Sequence, residues 1–484
     1  MSSKIQKLSE LEEVLANNEK TDKGLVQFIS TFKIKSISAE FNYLKTKGYT
    51  LSSLILMLIL YRLRGIGIFA AQKTKSKLMT VCDDNTFYRI MNNPMVNWRK
   101  MLMIFAKQFI AITIEKGEKN SGTRCFVIDD TDIEKTGKTF EFIGRIFNHV
   151  SHEHIIGFKM LTLAYWDGKS LIATDFSLHR EKGKKGNYGM SKKEQKKQFT
   201  KKRSEQCATK KRITEMDEKK NEVAIMMLKR AVKNGIKASY VLVDSWFTND
   251  MFIKSVRGIK NGMMHLLGMC KIDKRKYTYN GKCLNSNQII NSHSRKKQQY
   301  SRKYKSQYFS VIADYKDEKV KLFYIKYGRS KNWTLLLSTD LQLSLVQAIE
   351  LYQIRWTIEV LFKECKQYLS LGKCQNTDFD GQIADATIVL ITHTILSLQK
   401  RFGVYETMGE LFRETQQQFL ELTLWEKILK VFIKMVRNLA GVLNIDADEI
   451  LEQILQNNQN AQQIEMLIKC LDDDNCENEL ENAA

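Results

Sequence analysis

The chain has 484 residues, 43% of them hydrophobic, and a formal net charge of +23 at pH 7. That length exceeds one ordinary core, so roughly two to four domains are expected, and the composition excludes a largely disordered chain. A pI near 9.4 reflects an excess of Lys and Arg that attracts polyanions, nucleic acid first and a membrane surface second.

The charge is unevenly placed. Arg180 to Arg212 carries fourteen Lys and Arg against three acids, whereas Gly441 to the end carries eleven acids against one Lys. A basic middle and an acidic tail fit a surface of which only part meets phosphates. The nine cysteines are odd in number and form no CxxC pair. This argues against a disulfide framework and a structural zinc, and suits a reducing cytosol.

The N-terminus, MSSKIQKLSELEEV, lacks the apolar core of a secretory signal. Residues 1 to about 115 read as helices. LILMLILY at 54–61 runs into Arg62 and Arg64, too short to cross a bilayer, and reads as a buried helix. Pro94, the only proline, marks the turn NNPMVN between two helical stretches. Short basic helices around a tight turn suit either a helix-turn-helix DNA reader or plain helical packing.

Strand signals begin with RCFVIDD at 124–130. IIGFKMLTLAYW at 155–166, the turn Asp167-Gly168, and KSLIATDFSL read as a hairpin. After the basic segment, a helix over about 221–234 ends at Gly235, and ASYVLVDSWF supplies another apolar strand. From about 262 to 340 short β segments alternate with polar turns. A helix is then expected from about 343 past Lys366, with further helices, including the brief apolar VLITHTILSL at 389–398, leading to the acidic end. No segment reads as a membrane span, so a soluble protein is expected.

Three acids stand out. CFVID-Asp130 and YVLV-Asp244 are unbroken apolar runs, as central strands covered on both faces require, and each ends in a carboxylate. Functional crevices of open α/β sheets lie at such strand ends, although an acid there also serves as a turn or cap residue. In LYQIRWTIEVLFKECK, Tyr352, Arg355, Glu359 and Lys366 are spaced by three, four and seven residues. On an ideal helix these fall within an arc of roughly 60°, opposite Ile354, Ile358, Leu361 and Cys365. The plain alternative is that Glu359 forms surface pairs with Lys363 or Lys366. Phosphodiester chemistry has a use for such a set. Two divalent ions about 4 Å apart, held by hard oxygen ligands, stabilise the attacking and leaving oxygens, and an Arg fork grips phosphate.

The string Y-x2-R-x3-E-x6-K at 352–366, with Trp356 directly after the Arg, resembles the signature of the insertion-sequence-four family of DDE transposases. NWTLLLSTDLQLSLVQAIELYQIRW resembles the same region of that family. VIDDT at 127–131 and VLVDSWF at 241–247 look like its first and second catalytic regions. The resemblance spans about 125–400. It implies an α/β protein with an RNase H-like core and a β-rich insertion between the second Asp and the Glu. It implies that Asp130, Asp244 and Glu359 hold two Mg²⁺, with Mn²⁺ able to substitute. Tyr352, Arg355 and Lys366 would contact DNA near the transposon end, and Trp333 matches a position that stacks a flipped base; packing within the insertion is the alternative for that Trp. Asp130 is preferred as the first ligand because it immediately precedes Thr131, with Asp129 as the alternative. Trp246 and His149 lie close to these motifs.

The domains expected are a helical DNA-binding region at 1–118, core at 119–250 and 342–402, the β-rich insertion at 251–341, and a helical, acid-tailed region at 403–484. The activity implied is metal-dependent cleavage at transposon ends followed by strand transfer. The expected partners are terminal inverted repeats, target DNA and a second copy of the chain, without a membrane, in a prokaryotic, nucleoid-associated, cytoplasmic setting. The rivals are an RNase H-like nuclease without strand transfer and a non-catalytic DNA-binding remnant.

Overall fold

The computed structural model describes residues 32–417 apart from 74–81, 116–121, 294–297, 329 and 404, together with the isolated positions 420, 438 and 442. The acidic tail and most of the C-terminal helical region expected above lie outside these residues. The chain divides into two compact units, one of residues 1–96, 367–371 and 384–484, the other of 97–366 and 372–383.

The first unit is helical. In α1 (Leu51–Leu63) the Thr50 side chain accepts from the Ser53 N–H as an N-cap, and nearly every following side chain is buried. A helix apolar all round can only be a core helix, as its sequence indicated. Asp83 caps α2 (Asp84–Met91), and Phe87 meets Tyr61 edge-on with centroids 5.4 Å apart.

The second unit holds one mixed sheet. It opens with α3 (Trp98–Glu115), whose buried Trp98, Met101, Leu102 and Phe105 line one side of the helix. Then come β1 (Cys125–Glu134), β2 (Gly144–Asn148), β3 (Glu153–Trp166) and β4 (Leu171–His179). The hairpin read around Asp167-Gly168 joins β3 to β4. Buried Asp167 accepts from the N–H groups of Lys169 (3.0 Å) and Ser170 (2.9 Å). Next in order are α4 (Lys210–Asp217), α5 (Lys220–Lys233), β5 (Tyr240–Val243), α6 (Asp250–Gly258) and β6 (His265–Cys270). Gly235 follows α5 at φ 88°, a backbone conformation that glycine adopts without strain.

Strands β4, β3 and β1 are antiparallel neighbours, and β1, β5 and β6 continue as parallel ones. This order, β4-β3-β1-β5-β6, is consistent with an RNase H-like core. Beyond β6 the sheet continues through strands drawn from the β-rich stretch. In chain order these are β7 (Lys276–Tyr279), β8 (Lys282–Asn285), β9 (Gln299–Ser301), β10 (Ser306–Tyr315), β11 (Glu318–Tyr327) and β12 (Thr334–Ser338). Their spatial order from β6 is β12-β11-β10-β7-β8, with β9 on β10. Gly157 of β3 pairs with Glu134 of β1 on one side and Gly144 of β2 on the other. A Cβ there would lie 2.2 Å from the Ile133 carbonyl oxygen, so the side chain is excluded by the neighbouring backbone.

One expectation is corrected. The uninterrupted helix read from about 343 past Lys366 is instead α7 (Leu345–Gln353), a 3₁₀ turn at Ile354–Trp356, and α8 (Thr357–Gln367). The Thr357 hydroxyl donates to the Ile354 carbonyl at 2.6 Å, a local bond that competes with the regular helical ladder. The ideal-helix arc therefore does not carry unchanged from Tyr352 to Lys366. Last comes α9 (Phe379–Phe402), which contains VLITHTILSL. It is long and apolar enough to cross a membrane by composition, yet its most apolar stretch is wholly buried inside the protein.

Two buried ion networks hold the sheet's covering elements. Arg203 joins Glu141 (2.8 Å from its Nη1) to Asp378 (3.1 Å) and Asp380 (3.0 Å), and Lys201 adds bonds to Asp378 and Asp380. Fully buried Asp175 on β4 accepts from Arg99 of α3 (3.1 Å) and Arg230 of α5 (2.8 Å), and both arginines also pair with Glu215 of α4. Burial pushes the Asp175 carboxyl up, but Arg99, Arg230 and Arg212 overcome it and hold the group below its ordinary range. A depressed carboxyl contributes stability above its unfolded value of about 3.9 and loses it as pH falls through the lower folded value. Asp175→Asn is expected to cost about 3 kcal/mol at pH 7, because it leaves buried guanidinium charge uncompensated. Urea unfolding should show that difference shrinking below pH 4; an equally large deficit at the lowest pH reached would mean lost packing, not lost charge.

Candidate active site

β1 and β5 meet as parallel neighbours, with Cys125 opposite Tyr240 and Val127 opposite Leu242. Their apolar residues are buried, as the unbroken runs required. Carried two residues further, that register sets Asp129 beside Asp244, just past the end of β5. Alternation along β1 then splits its polar residues between two faces. Asp129 and Thr131 share one, Asp130 and Asp132 the other.

Each face has its own bases. On the first, the Arg355 guanidinium forks between two acids: Nη1 lies 2.7 Å from Asp129 Oδ2, and Nη2 lies 2.9 Å from Glu359 Oε1. Two helical turns beyond Glu359, Lys366 donates to the Thr131 hydroxyl at 2.7 Å. On the second face, Asp130 forms an ion pair with Lys220, the first residue of α5, and Asp132 accepts from Lys159 at 2.7 Å. Of the residues read from sequence, Arg355 and Glu359 thus come together with Asp129, while Asp130 is engaged elsewhere. Glu359 pairs with neither Lys363 nor Lys366 among the described contacts.

The electrostatics follow from this placement. Burial pushes the Asp129 carboxyl up to about 7; Asp244 and Asp130 add to the rise and the Arg355 guanidinium opposes it. Burial also raises Asp244, with Asp130 adding to the rise and a hydrogen bond from the Trp246 N–H at 3.0 Å and the Arg355 guanidinium opposing it. Tyr352 is half-buried and its phenol is pushed up to about 12 by burial, with Arg355 opposing and Asp244 adding. The Arg355 guanidinium lies 5.8 Å from the Tyr352 ring centroid and 5.1 Å from that of Trp356, within cation–π range.

Trp333 immediately precedes β12. Because β12 runs antiparallel to β6, with Leu335 opposite Cys270, Trp333 stands at the end of the sheet where β5 delivers Asp244. Its ring meets Phe309 edge-on at 5.4 Å, with the Lys326 ammonium 6.0 Å away. His149 packs edge-on against Phe147 at 5.1 Å, a structural contact. Trp246 and Trp356 are exposed. Lys220 has no sequence signal to set it apart from its basic surroundings. Thr131 was legible only as part of the VIDDT string.

Among the described residues, no group of three or more His, Cys, Asp and Glu side chains is gathered as a ready metal cage. The donor set nevertheless suits a hard cation. It is all carboxylate oxygen, the chemistry Mg²⁺ and Mn²⁺ take. Asp129 retains a raised proton affinity despite its guanidinium partner, chiefly because it is buried and in part because Asp244 and Asp130 lie near it. The buried Arg355 Nε has no hydrogen-bond partner, a donor that a phosphate oxygen would satisfy.

Residues 72–261 match the family described as DDE superfamily endonuclease. The match supports a DDE-type transposase or nuclease. DDE endonucleases generally use divalent metal ions and act on DNA. The matched stretch contains Asp129, Asp130 and Asp244 and ends before the α7–α8 segment that carries Glu359. No curated protein matches the chain.

An acid with a raised folded pKa favours folding below its unfolded value, near 3.9, and that contribution is lost as pH rises through about 7. Asp129→Asn is therefore expected to stabilise the protein at pH 8, on the order of 1–3 kcal/mol, and to give little at pH 4. Denaturant unfolding of both forms at the two pH values checks this; a variant less stable at pH 8 would show that the carboxylate is fully compensated by Arg355.

Proposed function

We propose that this protein is a cut-and-paste DNA transposase of the kind its Y-R-E-K string resembles, cleaving at its element's ends and joining them to target DNA. The observation that carries the reading is the Arg355 fork between Asp129 and Glu359, next to Asp244. Three acids and a phosphate-gripping base from three separated parts of the sequence meet at one end of a sheet.

In this reading Asp129, Asp244 and Glu359 hold the divalent ions. Asp129 replaces Asp130 as the first ligand, supported by the β1–β5 register and by the engagement of Asp130 with Lys220. Two Mg²⁺, or Mn²⁺ in their stead, would supply positive charge at the attacking and leaving oxygens and lower the pKa of an attacking water. The chain's own groups bind and orient. Arg355, held between Asp129 and Glu359, brings its guanidinium charge to a phosphodiester, and Lys366, further along the same segment, offers a second cation. Tyr352 stays protonated at neutral pH and donates from its hydroxyl. Trp333, at the same end of the sheet, offers an aromatic face to an extruded base.

The basic stretch from Arg180 to Arg212 supplies phosphate contacts beyond the site, so DNA binding falls steeply with salt. Joining two ends calls for two sites, hence a dimer on DNA.

The test is an excision and joining assay on the gene's own flanking ends, with protein supplied in trans. Wild type excises and joins. Glu359→Gln and Asp129→Asn lose activity by on the order of a thousandfold, the scale of several kcal/mol of lost charge stabilisation. Asp130→Asn loses about tenfold or less, because it acts through Lys220. Equal activity of wild type and Glu359→Gln would remove the catalytic assignment. Nicked ends that never join would make the protein a nuclease, and the reverse order for Asp129 and Asp130 would return the first ligand to Asp130.

A further inference from the structure

At the opposite end of the same sheet, where β5 and β6 begin, lies a hollow of about 680 Å³. That volume falls within the range of small-molecule sites. Its floor is set by the parallel pairing of Tyr240 with His265. It is lined by Arg124, just before β1, by Lys237 and Tyr240 around the start of β5, by His265 at the start of β6, and by Asp340 after β12. None of these belongs to the carboxylate site.

The lining has a surplus of donors. Neither the Arg124 guanidinium nor the Lys237 ammonium has a hydrogen-bond or ion-pair partner among the described residues. The one carboxylate is already engaged: Asp340 Oδ2 accepts the Tyr240 hydroxyl at 2.5 Å and Oδ1 accepts the Gln342 N–H at 2.9 Å. Arg257 Nη1 lies 3.1 Å from His265 Nδ1. A guanidinium only donates, so Nδ1 accepts and the ring hydrogen sits on Nε2, a further donor. Tyr240 and His265 lie ring to ring at 5.7 Å, tilted by 35°, and form a flat-sided aromatic wall. Two cations and an N–H donor next to an aromatic wall match a phosphate group attached to a planar base.

We propose that this hollow is a nucleotide-binding site, taking a phosphate against Arg124 and Lys237 and a base against the Tyr240–His265 pair. Its position makes it a second nucleic-acid contact, away from the acids and independent of their chemistry. The ligand is a nucleotide, supplied either as part of a DNA strand or free.

The experiment is photocrosslinking of the full chain with a hexanucleotide carrying 5-bromodeoxyuridine, followed by peptide mapping. Crosslinks are expected at Tyr240 and His265 and not at Asp244–Trp246, reduced about tenfold in Arg124→Gln/Lys237→Gln and reduced also in His265→Gln. Glu359→Gln should crosslink as wild type does, which separates this site from the catalytic one. Deoxyadenosine monophosphate should compete, and inorganic phosphate at the same concentration should not. A hexanucleotide that outcompetes the mononucleotide about tenfold identifies a strand as the source; equal competition identifies the free nucleotide. Crosslinks confined to other segments, or unchanged in the double variant, would overturn the proposal. So would inorganic phosphate competing as well as the mononucleotide, since the aromatic wall would then play no part.

Discussion

Two carboxylates half-buried at the ends of adjacent parallel strands need either a proton or positive charge brought to them. That constraint organises one end of this sheet. Asp129 and Asp244 are brought side by side by the register of β1 and β5, and water is largely excluded from both. The Arg355 guanidinium answers only part of the charge, reaching Asp129 with one nitrogen and Glu359 with another. The 3₁₀ turn at Ile354–Trp356 carries this arginine, so the backbone irregularity and the charge compensation occupy the same few residues. Burial, more than the neighbouring acids, then leaves the Asp129 carboxyl with a raised proton affinity.

The division of β1 into two faces explains why four neighbouring polar residues behave differently. Asp129 and Thr131 meet the α7–α8 segment through Arg355 and Lys366, whereas Asp130 and Asp132 meet Lys220 and Lys159. Every one of the four has a base; Glu359 joins the first face through Arg355, while Asp244 raises Asp129 and is itself raised by Asp130. Pairing β1 with β3 on one side and β5 on the other fixes which face is which. A slip of one residue in either pairing would exchange the two sets.

Much of this was legible beforehand, for identifiable reasons. The apolar runs CFVI and YVLV can only be central strands, and the Asp167-Gly168 turn can only join a hairpin. The pairing of Arg355 with Glu359 four residues on survives although Arg355 itself lies in the 3₁₀ turn. What was hidden depended on register and on side-chain partners. Counted from the paired residues Cys125 and Tyr240, the fifth position is Asp129 in one strand and Asp244 in the other; the count becomes informative only once the pairing is known. Adjacency to Thr131 pointed to Asp130, and its pairing with Lys220, ninety residues away, is visible only in the fold. The 3₁₀ turn was hidden because IRWT has ordinary helical composition. Across it the Thr357 hydroxyl bonds back to the Ile354 carbonyl.

The Arg180–Arg212 stretch holds two populations of cation that sequence alone cannot separate. Lys201 and Arg203 face inward, committed to Glu141, Asp378 and Asp380, while neighbours such as Lys184, Lys185 and Lys202 face solvent or sit half-exposed. Divergence should treat them unequally. The outward positions can drift between Lys, Arg and neutral residues as long as their sum persists, because a diffuse field has no preferred donor. Arg203 has no such latitude: its planar fork serves three acids at once, and a lysine has too few directions in which to do the same. A lineage could therefore retune how strongly this protein holds a polyanion, one exposed residue at a time, without disturbing the anchor that keeps the segment in place.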